Sequence, residues 1–189
     1  MNTPAHLIFG LTAFGRPNRP RVTVAALIGA FMPDMSLYAM VGTSIYILGI
    51  SPRRVFREMY YSDAWQQVFA IDNSFVVWGA LLAMALWRKS AVAVAFTGAA
   101  LLHLAFDFPL HNHDARMHFW PLSTWVFESP FSYWDRSFHA NIVGPLELAV
   151  SMLLCVLLLI RFRHWPMRLL IVALGAIELM SSGIWRFIF

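Results

Sequence analysis

Apolar residues fall into long blocks separated by short polar segments, and the blocks set the expected elements. Thr3-Pro4 reads as a helix start, with Thr3 as N-cap and Pro4 at the first helical position. That helix runs to about Phe14 and stops at Gly15 and Pro17. At about 1.5 Å per residue it is too short to cross a hydrocarbon core of about 30 Å. It is either a half-span or a helix buried in a bundle. Val22 to Ile50 is apolar except for Asp34, Ser36, Thr43 and Ser44, and Pro33 predicts a kink or break there. Ser51-Pro52 starts a short amphipathic helix, with Val55, Phe56, Met59 and Tyr60 on one face and Arg53, Arg54, Arg57 and Glu58 around the other. Tyr60, Tyr61 and Trp65 suit an aromatic belt. Val68 to Trp87 and Ala91 to about Phe108 read as spans, the second stopped by Pro109. A polar-aromatic loop follows, over about 111–141. Ile142 to Ile160 and Leu169 to Phe189 are the last two spans.

Composition agrees with this pattern. Of 189 residues, 59% are hydrophobic and 13% charged. Soluble domains carry roughly a quarter charged residues. The expected fold is therefore all-α: a polytopic integral membrane bundle of about five or six helices, one short or Pro-broken, in a single domain covering 1–189. The lipid bilayer is its first partner.

The net charge of +4 does not indicate nucleic acid, because the basic clusters share no face and no recognition motif accompanies them. They report orientation instead. If the segments alternate, Arg16, Arg19, Arg21, Arg88, Lys89, Arg161, Arg163 and Arg168 share one side. Arg53, Arg54, Arg57, Arg116, Arg136 and Arg186 take the other. The first group lies in short connections, so the positive-inside rule puts the histidine-rich loop on the non-cytoplasmic side. The one cysteine, Cys155, sits in an apolar run and reads as filler.

The candidate chemistry gathers in Leu101 to His118, which holds four of the seven histidines. His103 and Asp107 are four residues apart and share a helix face. Both lie in an apolar span, where unpaired polar groups are costly and usually functional. In the alternating topology His6, Asp34, Asp72, His103, Asp107 and Glu147 all fall in the leaflet half of the histidine-rich loop. One polar site open to one face accounts for that segregation. His6, Asp34, His103 and Asp107 are the candidate metal ligands, a nitrogen and oxygen set that suits zinc, manganese or iron. The competing reading of an intramembrane histidine is a helix–helix hydrogen bond.

His111, His113, Asp114 and His118 are candidates for further ligands or for acid and base groups around an activated water. A helical segment would put His111, Asp114 and His118 on one face, whereas an extended one would pair His111 with His113. A solvated loop is the alternative to both. Glu147, just after Gly144-Pro145, is a helix-start carboxylate or a partner for a histidine ligand. The aromatic loop from Trp120 to Trp134 is an interfacial lid or a substrate-binding surface. There is no phosphate loop, no G-x-S-x-G, no H-E-x-x-H and no CxxC.

Several of these motifs together resemble a known family. Thr3-Pro4-Ala5-His6-Leu7, Pro33-Asp34, the H-x-x-x-D of His103 and Asp107, and Trp120-Pro121 with Trp125, Phe127 and Pro130 are similar, in order and spacing, to bacterial inner-membrane proteins of the YdjM type. Those are described as metal-dependent hydrolases. The resemblance covers roughly 1–40 and 98–131. It implies a metal-dependent hydrolase in a bacterial inner membrane, with His6, Asp34, His103 and Asp107 as ligands and a divalent metal, zinc first, as cofactor. A lipid or phosphoester is the expected substrate. Two departures stand out. Met35-Ser36 replaces that family's second aspartate, and its H-R-G-x-T-H-S motif is absent. His111, His113 and His118 are placed to substitute, the alternative being a degenerate site. The non-enzymatic alternative is a small transporter or an assembly factor using the same polar cluster.

Overall fold

A computed structural model describes residues 1–181. The end of the last predicted span, with Arg186, lies outside the described residues. Among the described residues the regular structure is all helical: α1 (Thr3–Phe14), α2 (Pro20–Gly42), α3 (Pro52–Arg54), α4 (Asp63–Asp72), α5 (Phe75–Trp87), α6 (Ala91–Asp107), α7 (Ala140–Arg161) and α8 (Trp165–Ser181). Wider π-type turns extend α2 through Thr43–Ile47 and α3 through Val55–Met59. Among the described residues, three helical runs are long and apolar enough to cross a membrane: Pro20–Ile47, Asp63–Trp87 and Ala140–Arg161. The outward faces agree, since Leu153, Val156, Leu157 and Ile160 of α7 and Leu81, Met84 and Trp87 of α5 are exposed. Lipid is the medium in which such a surface costs nothing.

Short α1 is the hub of the bundle, packing against α2, α6, α7 and α8. It is a buried helix, which resolves the choice left open above. Ile8 and Leu11 pack with Leu158, Phe162, Ile171 and Leu174 of α7, its C-terminal extension and α8. On its other side the packing runs through small residues. Gly10 faces Ala30 so closely that a Cβ would come within 2.6 Å of the alanine methyl. A Cβ at Gly29 would run into the Phe96 carbonyl of α6. Where there is no hydrophobic drive between helices, such close backbone approach supplies the association. At the far end Arg161 caps α1, donating from Nη1 to the Thr12 carbonyl at 2.7 Å and from Nη2 to the Gly15 carbonyl.

Three expectations shift. The N-cap of α1 is Asn2 rather than Thr3, because the Thr3 hydroxyl donates instead to Asp34 Oδ2 at 2.5 Å. Pro33 does not break its helix, for α2 runs through it. Proline deprives the Gly29 carbonyl of its helical donor, yet α2, packed closely on α6 at Gly29, stays continuous. The interruption falls instead inside the predicted span Val68–Trp87, at Asn73-Ser74, between α4 and α5. There the Ser74 side chain accepts from the Val77 N–H at 3.1 Å and starts a new helix. Tyr60, expected in an aromatic belt, is buried.

Candidate metal centre

Four elements converge at one end of the bundle. α6 presents His103 and Asp107 one turn apart. α1 brings His6 from its first turn, and α2 brings Asp34 from the residue after Pro33. The loop after α6 folds back and adds His111. Asp107 is the common point. Its Oδ1 lies 2.8 Å from His6 Nε2, 3.3 Å from His111 Nε2 and 2.6 Å from the Met1 nitrogen. Its Oδ2 lies 3.0 Å from His103 Nε2, which is also 3.7 Å from Asp34 Oδ1. The His6 and His103 rings are stacked, with centroids 3.4 Å apart and planes within 6°. His6, His103 and Asp107 are all buried.

At His103, His111 and His118 the second ring nitrogen decides what the first can do. His103 Nδ1 lies 2.7 Å from the Ala30 carbonyl. A carbonyl only accepts, so Nδ1 carries the hydrogen and a neutral ring keeps its lone pair on Nε2. His118 repeats the arrangement, its Nδ1 donating to the Asn73 carbonyl at 2.8 Å. His111 Nδ1 meets Asp114 Oδ2 at 2.8 Å, and Trp134 Nε1 donates to the same oxygen at 3.0 Å. Carboxylates and carbonyls behind a histidine are how metal-ligating imidazoles are oriented. In front, His103 Nε2 and His111 Nε2 are buried with no aligned hydrogen-bond partner, although carboxylate oxygens lie close. Tetrahedral zinc bonds of about 2.0–2.1 Å place ligand atoms roughly 3.3 Å apart. The separations here bracket that value, and one ligand atom from each of His6, His103 and Asp107 lies within 4.8 Å of the others. The donors fit a divalent ion.

The loop around this cluster is irregular, neither the helix nor the extended strand weighed above, and its own polar groups hold it. Asn112 Nδ2 donates to the Ser129 carbonyl at 2.6 Å, and Ser129 Oγ donates to the Pro109 carbonyl at 2.6 Å. The Phe75 N–H donates to the His118 carbonyl at 2.8 Å, tying the loop to the α4–α5 junction. A cavity of about 50 Å³ remains, lined by Asp34, Asp107, His111, Asp114, Arg116, His118 and the rings of Tyr38, Tyr60 and Tyr133, among others. It has room for an ion and a few waters.

Electrostatics on the loop side are polarised. Burial would lower the His111 pKa, but the Asp114 and Asp107 carboxylates outweigh it and hold the ring at about 9. Burial wins at His118, pushing it down to about 4. Burial would raise Asp114, but His111 and Arg116 keep its carboxyl below the ordinary range.

The sequence-derived candidates therefore separate. His6, Asp34, His103, Asp107 and His111 come together, while Asp114 stands behind His111 and His118 lines the cavity wall. His113 is turned out, exposed and edge-on to Phe138 with centroids 5.1 Å apart. Glu147 is outside the cavity as well. Two turns into α7, it neither starts that helix nor touches a histidine. Its Oε1 accepts from the Asn2 N–H at 2.7 Å, while Asn2 Nδ2 donates to Glu178 at 3.2 Å. Glu147 is thus a helix-start carboxylate for α1. Of the aromatic loop, Tyr133 lines the cavity, Trp134 holds Asp114, and Trp125 and Phe131 are exposed. Sequence reasoning missed Thr3, Tyr60, Asn73 and Arg116. Only Arg116 carried a signal, as a charge set between Asp114 and His118.

No protein-family model, curated protein or solved structure matches the chain.

Proposed function

We propose that this chain is a membrane-embedded, metal-dependent hydrolase. His6, His103, Asp107 and Asp34 would hold a divalent ion, zinc ahead of manganese or iron, with His111 as a further ligand. The observation that carries this reading is the pair of buried Nε2 atoms, on His103 and His111, which face Asp107 without hydrogen-bond alignment while their Nδ1 atoms are tied from behind. A divalent ion there would polarise a carbonyl or phosphoryl oxygen and acidify a water. His118 is kept neutral by burial. With Nδ1 committed to the Asn73 carbonyl, its Nε2 is the proton acceptor beside the cavity. The resemblance to the YdjM-type proteins supports the same reading, with placement in a bacterial inner membrane, and the distribution of basic residues supports the loop on the non-cytoplasmic side. A lipid or phosphoester is the proposed substrate.

A second reading has its own observation. Asp107 accepts hydrogen bonds from the Met1 nitrogen and is within hydrogen-bond distance of His6, so the cluster can neutralise itself in a purely structural or assembly role. Metal content of detergent-purified protein by mass spectrometry separates the two. About one equivalent of zinc, manganese or iron is expected, lost in His103→Ala. Equal metal in wild type and His103→Ala, or none in either, favours the structural role.

A further inference from the structure

Arg116 is buried beside the proposed metal centre, and one terminal nitrogen of its guanidinium has no hydrogen-bond partner. Only 7% of the residue is exposed. Its Nη2 donates to the Tyr60 hydroxyl at 2.6 Å. The guanidinium lies over the Tyr60 ring at 4.7 Å and over the Phe69 ring at 4.0 Å. Its Nη1 is buried with no hydrogen-bond partner. Asp114 is near enough to feel the charge, yet its Oδ2 is held by His111 and Trp134 and forms no ion pair with Arg116. A buried cationic donor left unmade costs more than a neutral one. The two rings fix the plane of the fork, and one edge is left for a ligand.

We infer that Arg116 is an anion-binding residue and that the substrate brings a phosphoryl group to it, an inference that rests on the metal reading above. Asp34, Asp107 and Asp114 line the same cavity. Without a divalent ion, three carboxylates would repel an anion. With one, a cation and a guanidinium face the same small space. A tetrahedral phosphoryl group has oxygens enough to meet both, which a planar carboxylate does less well. Beside an ion, the cavity of about 50 Å³ has room only for a group the size of a few waters, which fits a phosphoryl group and leaves the rest of the substrate outside. The phosphoryl group belongs either to a lipid headgroup or to a soluble phosphoester.

The test is calorimetric titration of inorganic phosphate into metal-loaded protein in detergent, with acetate as the control anion and metal content measured on each sample. Arg116→Gln is expected to weaken phosphate at least tenfold with metal content unchanged, and Arg116→Lys to fall between. Acetate is expected to bind weakly and to respond little. Phosphate affinity equal in wild type and both variants overturns the role of Arg116, as does acetate binding as tightly as phosphate. If Arg116→Gln does not run as a single species on size exclusion, Tyr60→Phe serves, since it removes only the Nη2 partner. A loss of about threefold is expected there, and unchanged affinity in both Tyr60→Phe and Arg116→Lys overturns the proposal. Displacement of phosphate by nanodiscs containing phosphatidic acid assigns the lipid source, and displacement by phenyl phosphate alone assigns the soluble one. Absence of metal from the wild type overturns the hydrolase reading and this inference with it. Phosphate binding that ignores Arg116 in metal-loaded protein overturns the inference alone.

Discussion

Two buried polar pockets flank the start of α1, and they solve the same problem differently. One side has Asp107 and Asp34 with three histidines. The other has Glu147 and Glu178 with Asn2 between them. Each puts carboxylates where solvation is poor, which costs several kcal/mol per charge unless something compensates. On the glutamate side the compensation is local, through the Asn2 backbone and side-chain N–H groups at the positive end of α1. Those hydrogen bonds engage one oxygen of each glutamate, Glu147 Oε2 and Glu178 Oε2 are buried without a hydrogen-bond partner, and no ring nitrogen faces them. On the histidine side, His6 Nε2 is hydrogen-bonded to Asp107, His103 Nε2 and His111 Nε2 crowd the same carboxylate without hydrogen-bond alignment, and a cavity opens beside them. Burial alone therefore does not mark a site. The donor type and the cavity beside it do.

Exchanging the two carboxylates tests that contrast with the largest expected effect. Asp107→Asn should drop bound metal from about one equivalent to below a tenth, whereas Glu147→Gln should leave it unchanged. Metal loss in both variants would mean that a general collapse around α1, and not ligand removal, is being read. Mass spectrometry with size exclusion on the same samples checks this.

Gly29→Ala comes next. The added methyl meets the Phe96 carbonyl, backbone that cannot swing away. Overpacking of this kind costs typically about 1–3 kcal/mol. Because the same seam sets Asp34 against His103, the variant should lose both thermal stability and metal affinity. A variant as stable as wild type would show that the α2–α6 seam does not position the site.

The smallest effect sharpens the electrostatic half of the comparison. His118 has its pKa lowered to about 4 in the folded chain from an ordinary 6.5. The unfolded chain therefore binds that proton first, and the contribution is fully present above pH 6.5 and is lost as pH falls toward about 4. His118→Gln keeps a donor for the Asn73 carbonyl but does not titrate. Its melting temperature should fall less than that of wild type between pH 6.5 and pH 4, and parallel curves would count against a neutral, buried His118.

These expectations rest on different kinds of legibility. The spacing of His103 and Asp107 was readable because helical periodicity is a property of the local chain. The gathering of His6, Asp34, His103 and Asp107 was readable because an apolar bundle has little room for scattered charges. The separation of His113 from His111 was not readable, because in an irregular loop neither the 3.6 nor the 2.0 period applies. Glu147 was equally opaque, since its partner is the N-terminus of a helix 145 residues away in the chain.

What the sequence by itself determined is the all-helical class, the apolar runs long enough for a membrane, and the residue types from which a metal site could be made. Composition and periodicity are enough for those, because each run must satisfy its backbone within itself. Only the tertiary structure decided that α1 is buried rather than half-spanning, that α2 continues through Pro33 while the chain breaks at Asn73-Ser74, and that Arg116 turns inward under Tyr60. Each of those depends on a neighbour: the Gly29–Phe96 seam, the loop docked on the α4–α5 junction, the two rings that hold the guanidinium. Contacts between distant segments carry no local period, so they become visible only when the chain is folded.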